Sequence, residues 1–179
     1  IGIPPTSAAG LRGSRLVLDR MLGAALDKNF LQKLAGCDRC IVGMILQLAV
    51  YFGIEDERTE ALVENLLNER MPDGGWNCDK EPTAHISTFI HTLYSMRALA
   101  LYAQHTGDAE SLAAARRAAE FFLKRRLYKR VSNGAVIKAE FVKLHYPLYW
   151  HYDILGALKI FAEIDMTDDE RFTDALDLL

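Results

Sequence analysis

The sequence predicts an all-α fold, and three observations carry that prediction. Apolar segments alternate with amphipathic ones at helical spacing, the pairing recurs at an interval of roughly 50 residues, and period-two alternation is confined to "AVIKAEFVKL" at 135–144. With 179 residues, 50% of them hydrophobic and 25% charged, the chain is long enough to bury a core and too apolar to be disordered. It reads as one domain over residues 1–179, built from three helical hairpins at 39–71, 85–127 and 153–179.

The first hairpin begins with Arg39 to Phe52, where only Arg39 and Gln47 are strongly polar, so a helix buried on all sides is expected, with Gly53 ending it. "EDERTEALVENLLNERM" follows, with Leu62, Val63, Leu66 and Leu67 on one stripe; its acidic first turn and Arg70 near its end suit the helix dipole of an outer, half-wet helix. The second hairpin pairs the apolar stretch from His85 to His105 with "SLAAARRAAEFFLKRRL", where Leu112, Ala115, Ala119 and Phe122 fall at helical spacing, and "TGDAE" separates the two. In the third, "ILGALKIFAEI" is apolar nearly throughout and "DMTDDERFTDALDLL" starts another outer helix, its "DERFTDAL" echoing the earlier "DERTEAL". Each hairpin of such an α/α array buries a face against the next.

Between the first outer helix and the second inner one lies "MPDGGWNCDK", residues 71–80. Pro72 is expected to stop the preceding helix, and Gly74 and Gly75 to supply positive φ angles. Asp73 is expected to accept hydrogen bonds from backbone N–H groups in the turn, and Trp76 to lie over the helix ends. Every residue type there has a backbone or packing role, so the stretch reads as a structural corner rather than a ligand loop.

Inner and outer helices alternating around a "PDGGW" corner resemble the superfamily of terpenoid cyclases and protein prenyltransferase β subunits, over residues 37–179. The resemblance implies a toroid-type array, of which three hairpins form half, with inner helices lining a cavity for an apolar, isoprenoid-like ligand. Arg70 stands where the family's corner usually has a glutamine. No D-x-D-D motif is present, so the protonating acid of squalene-type cyclases has no candidate, and the absence of D-D-x-x-D removes the usual ground for a magnesium-diphosphate site. The prenyltransferase pattern holds zinc on an acid and a cysteine two apart at the start of one inner helix, and on a histidine followed by threonine in a later one. It falls on Asp38 and Cys40 in "CDRC" and on His91 and Thr92 in "FIHT". Such a trio would leave the fourth tetrahedral position of zinc open for a water or a substrate thiolate. The implied function is zinc-dependent prenyl transfer or related isoprenoid chemistry; the alternative is a non-catalytic helical-repeat scaffold that binds a protein or lipid.

Polar residues on the inner helices mark where a cavity is expected. Ser87, His91 and Ser95 recur at i, i+4 and i+8 as one stripe, and Gln47 and Tyr51 stand along the first inner helix. In "HYPLYWHYD", Pro147 is expected to keep the strip extended and Asp153 to serve the first turn of the next helix. Tyr149, Trp150, His151 and Tyr152 there either rim an apolar pocket or plug the gap between two repeats, the plug being the plainer account. A second metal reading takes Cys37, Cys40, Cys78 and His85 as a closed Cys3His site; without metal, these are reduced cysteines at helix ends and His91 is a hydrogen-bonded core residue. The basic run "KRRLYKR" either meets a diphosphate or an acidic partner or is the solvated end of an outer helix, the latter being the plainer account. A net charge of -3 and a pI near 6.0 give no general attraction to nucleic acid or anionic membranes. Three cysteines, an odd number, suit a reducing, cytoplasmic setting, and the longest apolar run is too short to span a bilayer. Half a toroid exposes the inner faces of its terminal hairpins, so a homodimer or the remainder of a longer chain is expected to cover them.

Overall fold

The computed structural model describes residues 2–79 and 84–179, so Lys80, the last residue of the corner, lies outside the described residues. The fold is all-α: α1 (Ala8–Met21), α2 (Lys28–Gly36), α3 (Arg39–Tyr51), α4 (Glu57–Asn68), α5 (Phe89–Thr106), α6 (Ala109–Leu123), α7 (Ile154–Glu163) and α8 (Thr173–Leu176). The alternating run at 135–144 does not form a strand. It holds one isolated bridge, Lys129 to Val136, and a 3-10 turn at Ala139–Val142. No described helix is long and apolar enough to cross a membrane.

Helix α5 is the central element, packed along α3 on one side and α6 on the other. The approach to α3 is close: a Cβ on Gly43 would come within 3.0 Å of the Tyr94 carbonyl oxygen and 3.1 Å of the Ser95 backbone. Ser95, wholly buried, spends its hydroxyl on the Arg39 carbonyl at 3.2 Å. Helix α3 is nonetheless not buried on all sides. Val42, Leu46 and Ala49 enter the core, whereas Leu48 and Tyr51 are exposed, because their face of the helix borders a cavity. The Tyr51 hydroxyl instead donates to the Ile3 carbonyl at 2.7 Å and ties down the N-terminal segment.

Two helices precede the residues from which hairpins were expected. Ser7 caps α1 by accepting from the Gly10 N–H, and Asp27 caps α2 by accepting from the Phe30 N–H at 2.8 Å. Only Ser14 and Leu18 of α1 are buried, which is too short a stripe to stand out as a period. Arginines of the later helices fasten them: Arg58 reaches Asp19 at 2.6 Å, and Arg39 joins the Ala35 carbonyl of α2 to Asn65 of α4.

The sequence echo "DER" is the same interaction made twice. Arg58 folds back on the α4 cap Asp56 at 2.7 Å while reaching Asp19 on α1; Arg171 folds back on Asp169 at 2.6 Å while reaching Glu120 on α6 at 2.8 Å. The outer helix expected after residue 165 is shorter than predicted. Asp169 accepts from the Arg171 N–H and opens a 3-10 turn, and α8 adds one helical turn. The basic run is solvated at Lys124, Arg126 and Arg130, as expected, yet it is also paired: Arg126 and Lys129 hold Asp174 of the α8 segment at 3.2 and 2.5 Å, and the Arg125 guanidinium lies 3.9 Å above the Phe121 ring. Between α5, α6 and α7 the core is aromatic, with Tyr152 stacked on Phe122 and edge-on to Phe89 and Phe141.

Two stability predictions follow from these contacts. Trp76 is fully buried, so Trp76→Ala should cost on the order of 3–5 kcal/mol in urea unfolding. Arg171 holds the carboxyls of Glu120 and Asp169 below the usual carboxylate range. Because those folded-state values are depressed, the stability they contribute is present above the ordinary carboxylate range and is lost as pH falls from about 5 through 3. Arg171→Met should flatten that acid limb in pH-dependent unfolding; an unchanged limb would show that the carboxylates are not coupled to folding.

Candidate functional site

Residues 71–78 position the site. The Met71 N–H donates to the Gly75 carbonyl at 2.8 Å and the Gly74 N–H to the Met71 carbonyl at 2.9 Å, which closes the turn. Helix α4 has already ended at Asn68, so Pro72 is not what stops it. Gly74 takes the expected positive φ, +97°, but Gly75 does not. Gly75 is small for a different reason: a Cβ there would stand 2.5 Å from Thr92 Oγ1 and 2.6 Å from Ser87 Oγ. Asp73 bonds across the corner rather than within the turn, accepting from the Ser87 N–H at 3.1 Å and from the Ser87 hydroxyl.

Trp76 lies over the end of α4, its indole N–H donating to the Leu66 carbonyl at 2.9 Å. Its backbone N–H donates to Thr92 Oγ1 at 3.1 Å, and its carbonyl accepts from the Thr88 N–H at 2.9 Å. The chain is therefore pinned along the first turn of α5. That is also why α5 starts at Phe89 and not at His85, since Ser87 and Thr88 are bonded to the corner.

Two residues past Trp76, the Cys78 N–H donates to His91 Nδ1 at 3.1 Å. The Cys78 and Cys40 sulfurs are 3.7 Å apart. Cys40, Cys78 and His91 thus form a group whose ligand atoms all lie within 4.8 Å of one another, close enough to hold one metal ion. Three local features supply the three side chains. Cys40 is the second residue of α3, behind the cap residue Asp38; His91 is the third residue of α5; Cys78 arrives on the corner. Helix N-termini present unpaired N–H groups and the positive end of the dipole, which favour thiolate. Thr88, the cap residue of α5, makes no cap bond and places its hydroxyl 2.7 Å from His91 Nδ1, the atom that also accepts from the Cys78 N–H, so the ring is held from that side.

The contact with Cys40 first, and then His91, lower the proton affinity of the Cys78 thiol. Cys40 is pushed the opposite way, by the contact with Cys78 and by burial, so one proton leaves the pair easily and the second is held. Asp38, expected as a ligand, is exposed at the start of α3 and outside the group; the exposed His85 and the half-buried Cys37 are outside it too. Burial raises the Cys37 thiol, which makes it the less nucleophilic neighbour.

The residues expected to line one cavity divide between two. Gln47 and Tyr51 face a cavity of about 380 Å³ beside Tyr94 and Arg97, where Arg97 bridges Gln47 at 2.7 Å and Glu163 at 2.6 Å. Ser87, Trp150, His151 and Tyr152 line another of about 580 Å³, with Thr88, Phe89 and Phe141. Ser95 reaches neither, because α3 covers it. Tyr149 contributes its carbonyl to the Tyr94 hydroxyl at 3.1 Å, and Trp150 packs edge-on to Tyr94, so these residues separate the two spaces. Only Tyr152 is a buried plug, donating to the Leu127 carbonyl at 2.8 Å; Tyr149 and Trp150 are exposed. The strip does not run extended past Pro147: the Tyr146–Pro147 peptide is cis and the His151 N–H turns back to the Leu148 carbonyl at 2.8 Å. Asp153 does serve the first turn of α7, accepting from the Gly156 N–H at 2.7 Å.

Comparison of the chain with protein-family models, curated protein sequences and solved structures finds no match. Tyr94, Arg97, Glu163 and Thr88 were missed by sequence reasoning. Thr88 carried a signal, since a threonine three residues before a histidine at a helix start can meet its ring.

Gly75→Ala should destabilise the fold by about 1–3 kcal/mol, as overpacking does, and draw Cys78 away from His91. Chemical denaturation checks the first effect and the histidine ring signals of His91 in NMR the second.

Proposed function

We propose that Cys40, Cys78 and His91 hold a catalytic zinc ion and that the protein performs prenyl transfer or related isoprenoid chemistry in a partial α/α toroid. One observation supports the metal above the rest. Two thiolates on a tetrahedral zinc, each at ~2.3 Å, stand about 3.8 Å apart, and the Cys40 and Cys78 sulfurs are 3.7 Å apart. Thiolate and imidazole ligands favour zinc over magnesium or calcium. When bound, zinc supplies a Lewis acid that keeps an incoming thiol or water deprotonated near neutral pH.

The protein's own residues do the rest. Thr88 orients the His91 ring, and the same Thr88 lines the larger cavity, so that cavity begins one side chain away from the trio. Phe89, Phe141, Trp150 and Tyr152 give it an aromatic wall suited to an isoprenoid chain. Two cysteines and one histidine make a three-ligand set of the kind that catalytic zinc sites use. Tyr51, Leu48 and Trp150 remain exposed near the cavities, where a second copy or further chain would find an apolar surface.

Protein purified without chelator should carry about one zinc per chain, as a three-ligand catalytic site does. Elemental analysis should find it lost in Cys40→Ser, Cys78→Ser and His91→Ala and kept in Asp38→Ala and Cys37→Ser. Retention in Cys78→Ser, or loss in Asp38→Ala, would overturn this ligand set. Farnesol should quench the emission of Trp150, and Trp150→Phe should abolish the quenching; an unresponsive parent would favour the scaffold reading.

A further inference from the structure

We infer that Cys40 and Cys78 are also a reversible redox pair, and that joining them dismantles the metal site. The inference rests on the zinc reading for its consequence and on the sulfur geometry alone for its chemistry. The two sulfurs are separated by 38 residues of chain yet are in contact at 3.7 Å, and both cysteines are free. A disulfide requires about 2.05 Å, so closure asks for a movement of less than ~2 Å. Cys78 can make it. It is half-buried on the corner, outside any helix, with its N–H donating to His91, whereas Cys40 is buried on a helix that α5 clamps.

The less buried partner, Cys78, is the one that an oxidant reaches. With a peroxide, the Cys78 sulfur attacks one oxygen, the O–O bond breaks, and the other oxygen leaves with a proton as water or an alcohol. The sulfenic acid on Cys78 is then attacked by Cys40; the S–S bond forms, the S–O bond breaks, and hydroxide departs with the Cys40 proton as water. The peroxide gains two electrons and the thiol pair loses two. A dithiol returns the pair to the reduced state by exchange through a mixed disulfide.

Metal and disulfide exclude each other, because both use the same two sulfurs. Oxidation removes two of the three ligands and leaves His91 alone, which cannot retain zinc. Occupancy of the site then follows the thiol redox state. Cys37, the third cysteine, lies outside the metal-binding group and so should be dispensable to the pair.

The test uses the full chain in two arms. Metal-free, reduced protein treated with one equivalent of hydrogen peroxide should lose about 2 Da, with Cys40 and Cys78 peptides joined in a non-reducing digest. Cys37→Ser should behave identically, while Cys40→Ser and Cys78→Ser should not close. Zinc-loaded protein should release its metal to a chromogenic chelator in step with closure and take it up again after dithiothreitol. Over-oxidation of Cys78 without a cross-link, a Cys37 cross-link instead, or a cross-link with zinc retained would each overturn the inference. A Cys40–Cys78 cross-link in a protein whose reduced form takes up no zinc keeps the redox pair and sinks the zinc reading.

Discussion

The seating of Trp76 beneath the end of α4 is the constraint on which the rest of the molecule depends. An indole with no exposure gives the corner a single position, because turning it out would expose a large apolar ring and strand the Leu66 carbonyl it satisfies. Everything on either side is then set. Asp73 and Gly75 meet Ser87 and Thr92, the backbone of Trp76 bonds Thr88 and Thr92, and α5 begins where those bonds release it. Cys78, two residues on, is thereby brought to His91, to whose Nδ1 its N–H donates.

The site is therefore a meeting of two helix starts and a loop. Cys40 and His91 sit in first turns, on helices held close by Gly43 against Ser95, so their separation is fixed by core packing. Cys78 comes on a segment fixed by hydrogen bonds to backbone and hydroxyl groups, which is softer than packed core. Two of the three side chains are thus held on packed helices and the third on a more adjustable segment. The cavities on either side of the Tyr94, Tyr149 and Trp150 partition differ in kind. One is crossed by the ionic bridge from Gln47 through Arg97 to Glu163; the other is walled by aromatic rings beside Thr88.

Much of the fold was legible because helical periodicity is a local property. Leu62, Val63 and Leu66 declare the buried stripe of α4, and Asp108, Asp153 and Asp169 cap or open turns by bonding N–H groups two or three residues away. Helices α1 and α2 were not legible, since α1 buries only two residues and owes its place to Arg58, which is 39 residues from Asp19. The open face of α3 was misread for the complementary reason. An apolar face shows that a helix can be buried, and only its neighbours decide that it is.

The sequence by itself determined helices α3 to α7, the corner at 71–76 with its buried tryptophan, and the placing of Cys40 at the start of α3 and of His91 on α5. Those follow from side-chain chemistry and short-range spacing. The tertiary structure decided which candidate side chains meet: Cys78 joins Cys40 and His91 in place of Asp38, and neither Cys37 nor His85 does. It also decided that Gly75 is small to admit Thr92, that Ser95 is covered by α3, and that the pocket residues divide between two cavities. The reason is one of range. A cap or a stripe is settled within one or two turns of chain, whereas the distance from Cys40 to Cys78 spans 38 residues and is settled by how α3, α5 and the corner pack.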